Sequence, residues 1–201
     1  NMSSGEWLVL ARTKYMLDKL EPTLYENGYY YNNKFKKQKE HTLHMAALDW
    51  ENARKGAPLS YDQVQKIYGY MNVDKTKLKS MTKDGVYDIA TLKKDYNLKT
   101  DAVWFEAFDA APRREVNYLK QMRRRGEKLN EAPRITLSTI HGAKGGEAEN
   151  VVLLTDLSFN TMKSYEKNPD DENRLFYVGA TRTKEHLHII RPQQDNKGYE
   201  L

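Results

Sequence analysis

The sequence contains no cysteine and no long apolar run, and each absence excludes a class of protein. Without cysteine there can be neither a disulfide framework nor a thiolate zinc site. No apolar stretch approaches the ~18 residues that a membrane-spanning helix needs, and residues 1–5 lack the charged and apolar parts of a signal peptide. We therefore expect an intracellular, cytoplasmic protein that does not enter the membrane.

The composition is that of a charged globular protein with a modest basic excess. The chain has 201 residues, of which 39% are hydrophobic and 30% charged, enough for one sizeable domain or two small ones. Its 33 basic and 28 acidic residues give a net charge of +5. Such an excess favours polyanionic partners such as nucleic acid, although proteins that bind no polyanion also carry charges of this size.

Residues 134–156 have the pattern of a strand, a polar glycine-bearing turn and a second strand. The apolar run at 151–154 is continuous, as in a parallel strand buried on both faces. The turn holds His141, Lys144, Gly145, Gly146 and Glu147. The adjacent glycines allow positive φ or the close approach of a ligand, and the three polar side chains supply a neutral donor, a cation and an acceptor. We therefore predict a ligand site in this loop, at a strand's carboxyl end.

Two motifs in this region resemble those of a helicase family. Residues 139–147 match Thr-x-His-x-x-Lys-Gly-x-Glu and resemble motif V of the UvrD/Rep/PcrA superfamily 1 DNA helicases. Residues 174–183 are similar to motif VI of that family, Arg-Leu-x-Tyr-Val-x-x-Thr-Arg-Ala, and follow at the expected distance. The resemblance covers roughly residues 7–31 and 134–191. It implies the carboxy-terminal RecA-like domain of an ATP-dependent DNA helicase.

The resemblance implies an α/β fold, with a RecA-like, mainly parallel sheet, flanking helices and a small, mostly helical inserted subdomain. We assign residues 1–32 and 133–201 to the RecA-like domain, which is discontinuous, and residues 33–132 to the insert. The pattern of the RecA-like part predicts a strand at 7–11, a helix that closes at Asn27 and is kinked or divided at Pro22, a strand at 29–31, a helix at 171–183, a strand at 186–190 and a fraying tail at 192–201.

Within the insert, a capping box at Ser60 and Gln63 predicts a helix from about Tyr61. Further helices are predicted at 41–55, 103–110 and 112–125, and a turn-rich solvated segment at 75–83. The aromatic residues Trp104, Phe105 and Phe108 are expected to lie in a core and not to stack on bases.

The resemblance assigns an ATP site to the two motifs. Arg182 matches the motif VI arginine that family members direct at the γ-phosphate, so we predict that it is catalytic. Glu147 matches the motif V glutamate that contacts the nucleotide sugar, and Gly145 and Gly146 complete the ATP contacts. Arg174 could hold motif V or an acidic neighbour in place. The alternative for Arg182 is a helix-end arginine paired with a surface carboxylate.

The resemblance also assigns nucleic-acid contacts. Thr139, His141 and Lys144 match motif V positions on the single-stranded DNA side, and Arg12 and Lys14 follow the first strand near the DNA path. A solvated helix start is the alternative for Arg12 and Lys14, and a solvated face is the alternative for two further basic clusters, residues 34–39 and 123–125. Tyr177 and Val178 are assigned to the buried side of the motif VI helix, and no metal site is predicted, because no partner spacing supports His141 as a ligand.

The sequence lacks a Gly-x-x-x-x-Gly-Lys-Ser/Thr loop and the acidic pair that would hold Mg²⁺ and orient water. We therefore expect ATP and Mg²⁺ to be bound mainly by a missing amino-terminal RecA-like domain, and this fragment to be monomeric and inactive alone. The expected partners are that domain, single-stranded DNA and, as a further candidate, duplex DNA, in repair or replication. The alternative function is a non-catalytic nucleic-acid or protein binding module derived from a helicase domain.

Overall fold

The computed structural model describes residues 2, 4–36, 42–128, 131–192, 194 and 197–199. In chain order the elements are β1 (Trp7–Ala11), α1 (Lys14–Glu26), β2 (Tyr31–Asn33), α2 (Thr42–Arg54), β3 (Leu59–Ser60), α3 (Tyr61–Gly69), β4 (Val86–Tyr87), α4 (Ile89–Asp95), α5 (Trp104–Ala107), α6 (Arg113–Arg124), β5 (Ile135–Thr139), β6 (Ala148–Leu154), α7 (Phe159–Lys167), α8 (Asp170–Ala180) and β7 (Thr183–Ile190). Short 3₁₀ helices span Thr76–Ser80 and His141–Ala143.

The chain divides into two compact units, one made of residues 1–38 and 120–201 and the other of residues 39–119. The first unit contains a five-stranded parallel sheet in the order β2-β5-β1-β6-β7. This sheet and its flanking helices confirm the predicted α/β, RecA-like fold. The assignment of residues 33–132 as an inserted subdomain stays a prediction.

Strand β1 is central in the sheet because its apolar sequence suits burial on both faces. All five of its residues are buried, and Trp7 is in register with Ile135 of β5 and Asn150 of β6. One face packs against α1 through Leu17 and its neighbours. The other face packs against Phe176 of α8. The sheet therefore fixes the ends of its strands relative to both helices.

Two predictions near the amino terminus change. Helix α1 is not divided at Pro22, since one continuous helix spans Lys14–Glu26, and the alternative, a kink at Pro22, stays a prediction. The second strand is β2 at Tyr31–Asn33 and not residues 29–31. The strand begins later because Tyr29 still belongs to the turn that ends α1. Its amide donates to the Leu24 carbonyl at 3.0 Å.

Four predictions near the carboxyl terminus also need correction. Helix α8 ends at Ala180, and β7 begins at Thr183 on the edge of the sheet. Tyr177 is 69% exposed, because Phe176 takes the buried position. The tail does not fray over residues 197–199, where the Tyr199 ring stacks on Phe176 with centroids 4.0 Å apart and the Tyr199 amide donates to the Thr155 carbonyl.

The second unit has an aromatic core. Trp50, Tyr68, Trp104 and Phe108 are fully buried, as predicted for Trp104 and Phe108, whereas Phe105 is 40% exposed. The capping box is confirmed, with the Ser60 and Gln63 side chains each accepting from the other's backbone amide. The two-stranded antiparallel pair β3-β4 and helix α4 were not predicted. The predicted helix at 41–55 is α2, and His41 lies outside the described residues.

Gly28 and Gly126 end α1 and α6 in the same way. Their φ angles are +69° and +74°, and both are left-handed glycines of Schellman motifs. A Cβ atom on Gly28 would lie 2.7 Å from the Gln121 carbonyl carbon and 2.8 Å from the Met122 nitrogen. A Cβ on Gly126 would meet no described atom within 4 Å.

We expect Gly28→Ala to lower the free energy of unfolding by about 2 kcal/mol more than Gly126→Ala. A left-handed alanine costs about 1–2 kcal/mol at either position, and overpacking against the α6 backbone adds about 1–3 kcal/mol at Gly28 alone. Urea unfolding of both variants, followed by circular dichroism, measures the difference. Equal losses would show that the contact between α1 and α6 relaxes without cost.

Candidate functional site

The motif V turn, residues 139–147, runs from the end of β5 to the start of β6. Thr139 fixes its first half, since the Thr139 hydroxyl accepts from the Gly142 amide at 3.1 Å. The second half is closed by the Gly146 amide, which donates to the Ala143 carbonyl at 2.8 Å. Gly145, which lies between Ala143 and Gly146 in the chain, has a φ of +83°, a value that favours glycine. The backbone therefore fixes the turn while His141, Lys144 and Glu147 remain exposed.

The starts of β6 and β7 bring Glu147 and Arg182 together. Glu147 directly precedes β6, and Arg182 directly precedes β7. The Ala148 amide donates to the Arg182 carbonyl at 3.1 Å, and Ala148 is in register with Thr183. The two residues assigned to the nucleotide are thus on adjacent strands at the amino-terminal edge of the sheet.

The Arg182 guanidinium rests on the end of its own helix. Its Nε donates to the Val178 carbonyl at 3.0 Å, and one terminal nitrogen lies 3.4 Å from the Thr181 hydroxyl. Among the described residues, no carboxylate pairs with Arg182. A phosphate that approached this arginine would therefore displace only a neutral carbonyl and a hydroxyl.

Arg12 is held by Glu172 of α8 in a bidentate ion pair. The Arg12 Nε and a terminal nitrogen each lie 2.8 Å from one Glu172 oxygen, and Glu172 is only 5% exposed. The hydrogen bond to Glu172 raises the pKa of Arg12 against the opposing effect of burial. The alternative of a solvated helix start is therefore wrong for Arg12. Its predicted contact with nucleic acid stays a prediction, with two of its donors engaged by Glu172.

A cavity of about 660 Å³ opens beside the ion pair. Arg12, His141, Lys144, Arg174, Asp171 and Ser164 are among the residues that line it. Arg174 faces this cavity, while its acidic neighbour Glu172 is held by Arg12 instead. The cavity therefore joins motif V, the end of β1 and the first turns of α8 in one surface, which carries the cations Arg12, Lys144 and Arg174 and the carboxylates Asp171 and Glu172.

A second group of side chains follows β1 and β2 near the same turn. The Lys14 Nζ lies 4.4 Å from the centroid of the Phe35 ring, and the Lys34 Nζ lies 3.4 Å from the Gly142 carbonyl. Lys36 is an ion-pair partner of Asp18 and Glu21 on α1. These ion pairs give Lys36 a structural role. Two further lysines of the predicted basic cluster, Lys37 and Lys39, lie outside the described residues.

The three arginines of the other basic cluster, residues 123–125, also differ in their contacts. Arg125 lies over the Tyr29 ring at 4.0 Å, and its Nε donates to the Asn27 carbonyl. It therefore holds the closing turn of α1. Arg123 and Arg124 are exposed and keep their prediction as phosphate contacts or a solvated face.

The site residues occupy two edges of one sheet. Thr139, His141, Lys144, Arg12 and Lys14 lie at or just beyond the carboxyl ends of β5 and β1. Glu147 and Arg182 lie at the amino ends of β6 and β7. Helix α8 and the motif V turn both run between these edges. Two residues of this arrangement, Glu172 and Phe35, were not predicted as site residues, although an aromatic ring among lysines was a signal for Phe35.

Among the described residues, no group of three or more histidine, aspartate or glutamate side chains is placed to hold a metal ion. No described helix has the length and apolar character that crossing a membrane requires.

A comparison with curated proteins finds no match. The family model for the UvrD-like helicase C-terminal domain matches residues 12–194. This range includes Arg12, both motifs and all of the sheet strands except β1, which it follows directly. The chain therefore belongs to the family of UvrD-like helicase C-terminal domains.

Proposed function

We propose that this domain completes the ATP site of a DNA helicase or translocase at one edge of its sheet and contacts single-stranded DNA at the other. The observation that carries this proposal is the hydrogen bond from the Ala148 amide to the Arg182 carbonyl, at 3.1 Å. It places the strand starts of motif V and motif VI side by side, so that one nucleotide can meet both Glu147 and Arg182.

The residues present fit two parts of a nucleotide. Glu147 is an exposed carboxylate and can accept hydrogen bonds from two ribose hydroxyls. Arg182 carries a fork of donors that matches phosphate oxygens. At Gly145 even a Cβ atom would meet nothing described within 4 Å, so the turn leaves room for a ligand. The arginine would stabilise the charge that develops on the γ-phosphate oxygens during cleavage.

The remaining parts of the ATP site would come from another RecA-like domain. Mg²⁺ needs oxygen ligands, usually one or two carboxylates and the nucleotide phosphates. The β- and γ-phosphates also need a cradle of backbone amides and a lysine. Glu147 is assigned to the ribose and Arg182 to the γ-phosphate, which leaves neither residue to hold Mg²⁺ or to cradle the phosphates. We therefore propose that the domain alone binds nucleotide weakly and does not hydrolyse it.

The opposite edge supports contact with a DNA backbone. His141, Lys144 and Lys14 are exposed there, and Arg12 and Arg174 line the adjoining cavity. Cations and neutral donors of this kind bind phosphate oxygens without reading sequence. Helix α8, with 11 residues and a length of about 16 Å, begins beside Arg12 and ends beside Arg182. We propose that it links the DNA edge to the ATP edge.

The DNA part of this proposal predicts weak, salt-dependent binding by this chain. With two or three phosphate contacts, the dissociation constant should rise about 7- to 18-fold between 50 and 200 mM salt, because each contact with a single strand contributes about 0.7 to the logarithmic slope. Fluorescence anisotropy of a labelled oligo-dT measures it. Lys144→Ala should lower this slope, while Lys184→Ala, an exposed lysine at the opposite edge, should not. Salt-independent binding or a preference for one sequence would contradict the assignment.

A further inference from the structure

The turn that carries Phe35 is held firmly from several sides. Asn33 is 6% exposed, its Nδ2 donates to a Glu21 oxygen at 3.0 Å, and its Oδ1 accepts from the Phe35 amide at 3.0 Å. The Lys34 amide donates to the Leu137 carbonyl of β5 at 3.1 Å. Lys36 forms ion pairs with Asp18 and Glu21. The backbone on both sides of Phe35 is therefore anchored to α1 and to the sheet.

The Phe35 side chain itself is 36% exposed although its backbone is fixed. The Lys14 ammonium lies 4.4 Å from the ring centroid. The tip of the ring reaches the motif V turn, since a Cβ atom on Gly142 would lie 3.1 Å from the Phe35 Cζ. The Lys34 Nζ lies 3.4 Å from the carbonyl of the same glycine. A pre-positioned aromatic ring thus lies beside the proposed phosphate contacts, close to Lys14 and to the Gly142 carbonyl that Lys34 contacts.

An aromatic ring among cations is the combination with which proteins bind single-stranded nucleic acid. The cations hold the phosphates, and the ring stacks on a base of any sequence because every base has a π face. Phe159 provides a matched control for Phe35, because Lys163 lies over its ring at the same 4.4 Å. Phe159 is the first residue of α7 and does not lie in the turn after β2.

We propose that Phe35 is a stacking platform for one unpaired base of the strand whose phosphates contact Lys14, Lys34 and the motif V turn. This inference rests on the proposed binding of single-stranded DNA and adds a contact to a base. If the protein contacted phosphates alone, a normal strand and a strand without bases would bind with equal affinity. A stacking platform predicts that the normal strand binds more tightly.

The test compares two probes of equal length and label, oligo-dT and an abasic sugar-phosphate strand, in anisotropy titrations with this chain. Phe35→Leu should weaken oligo-dT binding about tenfold, within the 5- to 150-fold range expected for one stacked base. It should change abasic binding by less than about twofold, because leucine keeps an apolar contact with Gly142 while removing the aromatic face. Phe35→Trp should retain oligo-dT binding, and Phe159→Leu should bind both probes like the parent.

The outcomes separate this inference from the function on which it rests. A parent protein that binds neither probe contradicts the proposed DNA contact itself. A parent that binds oligo-dT, with a Phe35→Leu variant that is unchanged or equally weakened on both probes, overturns the stacking platform and leaves the phosphate contacts standing. If Phe35→Leu loses its circular dichroism spectrum, Phe35→Trp decides the question, because loss of oligo-dT binding by that folded variant also overturns the inference.

Discussion

Arg182→Ala is expected to lower the kcat of ATP hydrolysis by about 10³-fold or more in a helicase that contains this domain together with a Walker-loop domain, since arginine fingers contribute about 10³ to 10⁵ in rate. The fold and the affinity for single-stranded DNA should change little. Among the described residues, the guanidinium hydrogen bonds are those to the Val178 carbonyl and the Thr181 hydroxyl, so its removal disturbs no ion pair there. Its contribution would arise as charge develops on the γ-phosphate, and the loss therefore falls on kcat.

Arg191→Ala provides the matched control for this prediction. Arg191 is an exposed arginine just beyond the other end of β7, so the two substitutions remove the same charge from opposite edges of the sheet. Its kcat should stay within about twofold of the parent value, whereas Arg182→Lys should be impaired because lysine lacks the planar fork. A folded Arg182→Ala enzyme with a kcat within about twofold of the parent would contradict the assignment.

Breaking the Arg12–Glu172 pair is expected to have the second largest effect. Arg12→Ala leaves a carboxylate with 5% exposure and no guanidinium partner, and loss of one member of a buried pair costs about 3–5 kcal/mol. Because Arg12 is partly exposed, we expect the loss to lie near the lower end of that range. The double variant Arg12→Ala with Glu172→Ala should be less destabilised than the sum of the single variants, since it leaves no unpaired buried charge.

A double-mutant cycle in urea unfolding measures this coupling. Lys128→Ala is the control, because Lys128 pairs with Glu131 on the surface of the same unit, with both side chains about two thirds exposed. It should cost less stability than Arg12→Ala, because solvent screens an exposed ion pair. An Arg12–Glu172 coupling energy no larger than the loss caused by Lys128→Ala would show that the bidentate contact does not hold α8 to the end of β1.

Much of the sheet could be predicted because its signals are local. The apolar runs of β1, β5 and β6 are contiguous in sequence, and the capping box at Ser60 lies within four residues. Where the signal was weaker, the elements were displaced or missed. Strands β3 and β4 have two residues each and leave too short a pattern to detect. Tyr177 and Phe176 are adjacent and both aromatic, and only the packing of α8 decides which one is buried.

The same contrast between local and distant signals applies to the site. The two motifs name residues that lie at both edges of the sheet. The partner of Arg12 could not be predicted, because Glu172 is 160 residues away and because the helix dipole by itself favours an acidic residue in the first turn of α8. The role proposed for Phe35 likewise depends on Asn33, Lys14 and Gly142, which meet only in the folded chain.

The most direct test of the ATP edge is a structure of a complete helicase of this kind, with this domain in place, bound to ADP and a fluoride analogue of the transferring phosphate. We predict that the Arg182 guanidinium leaves the Val178 carbonyl and lies at hydrogen-bond distance, about 2.7–2.9 Å, from the analogue. The Glu147 carboxylate should accept from the ribose hydroxyls of the same nucleotide. A bound analogue with Arg182 still on the Val178 carbonyl, and with Glu147 in solvent, would contradict the account.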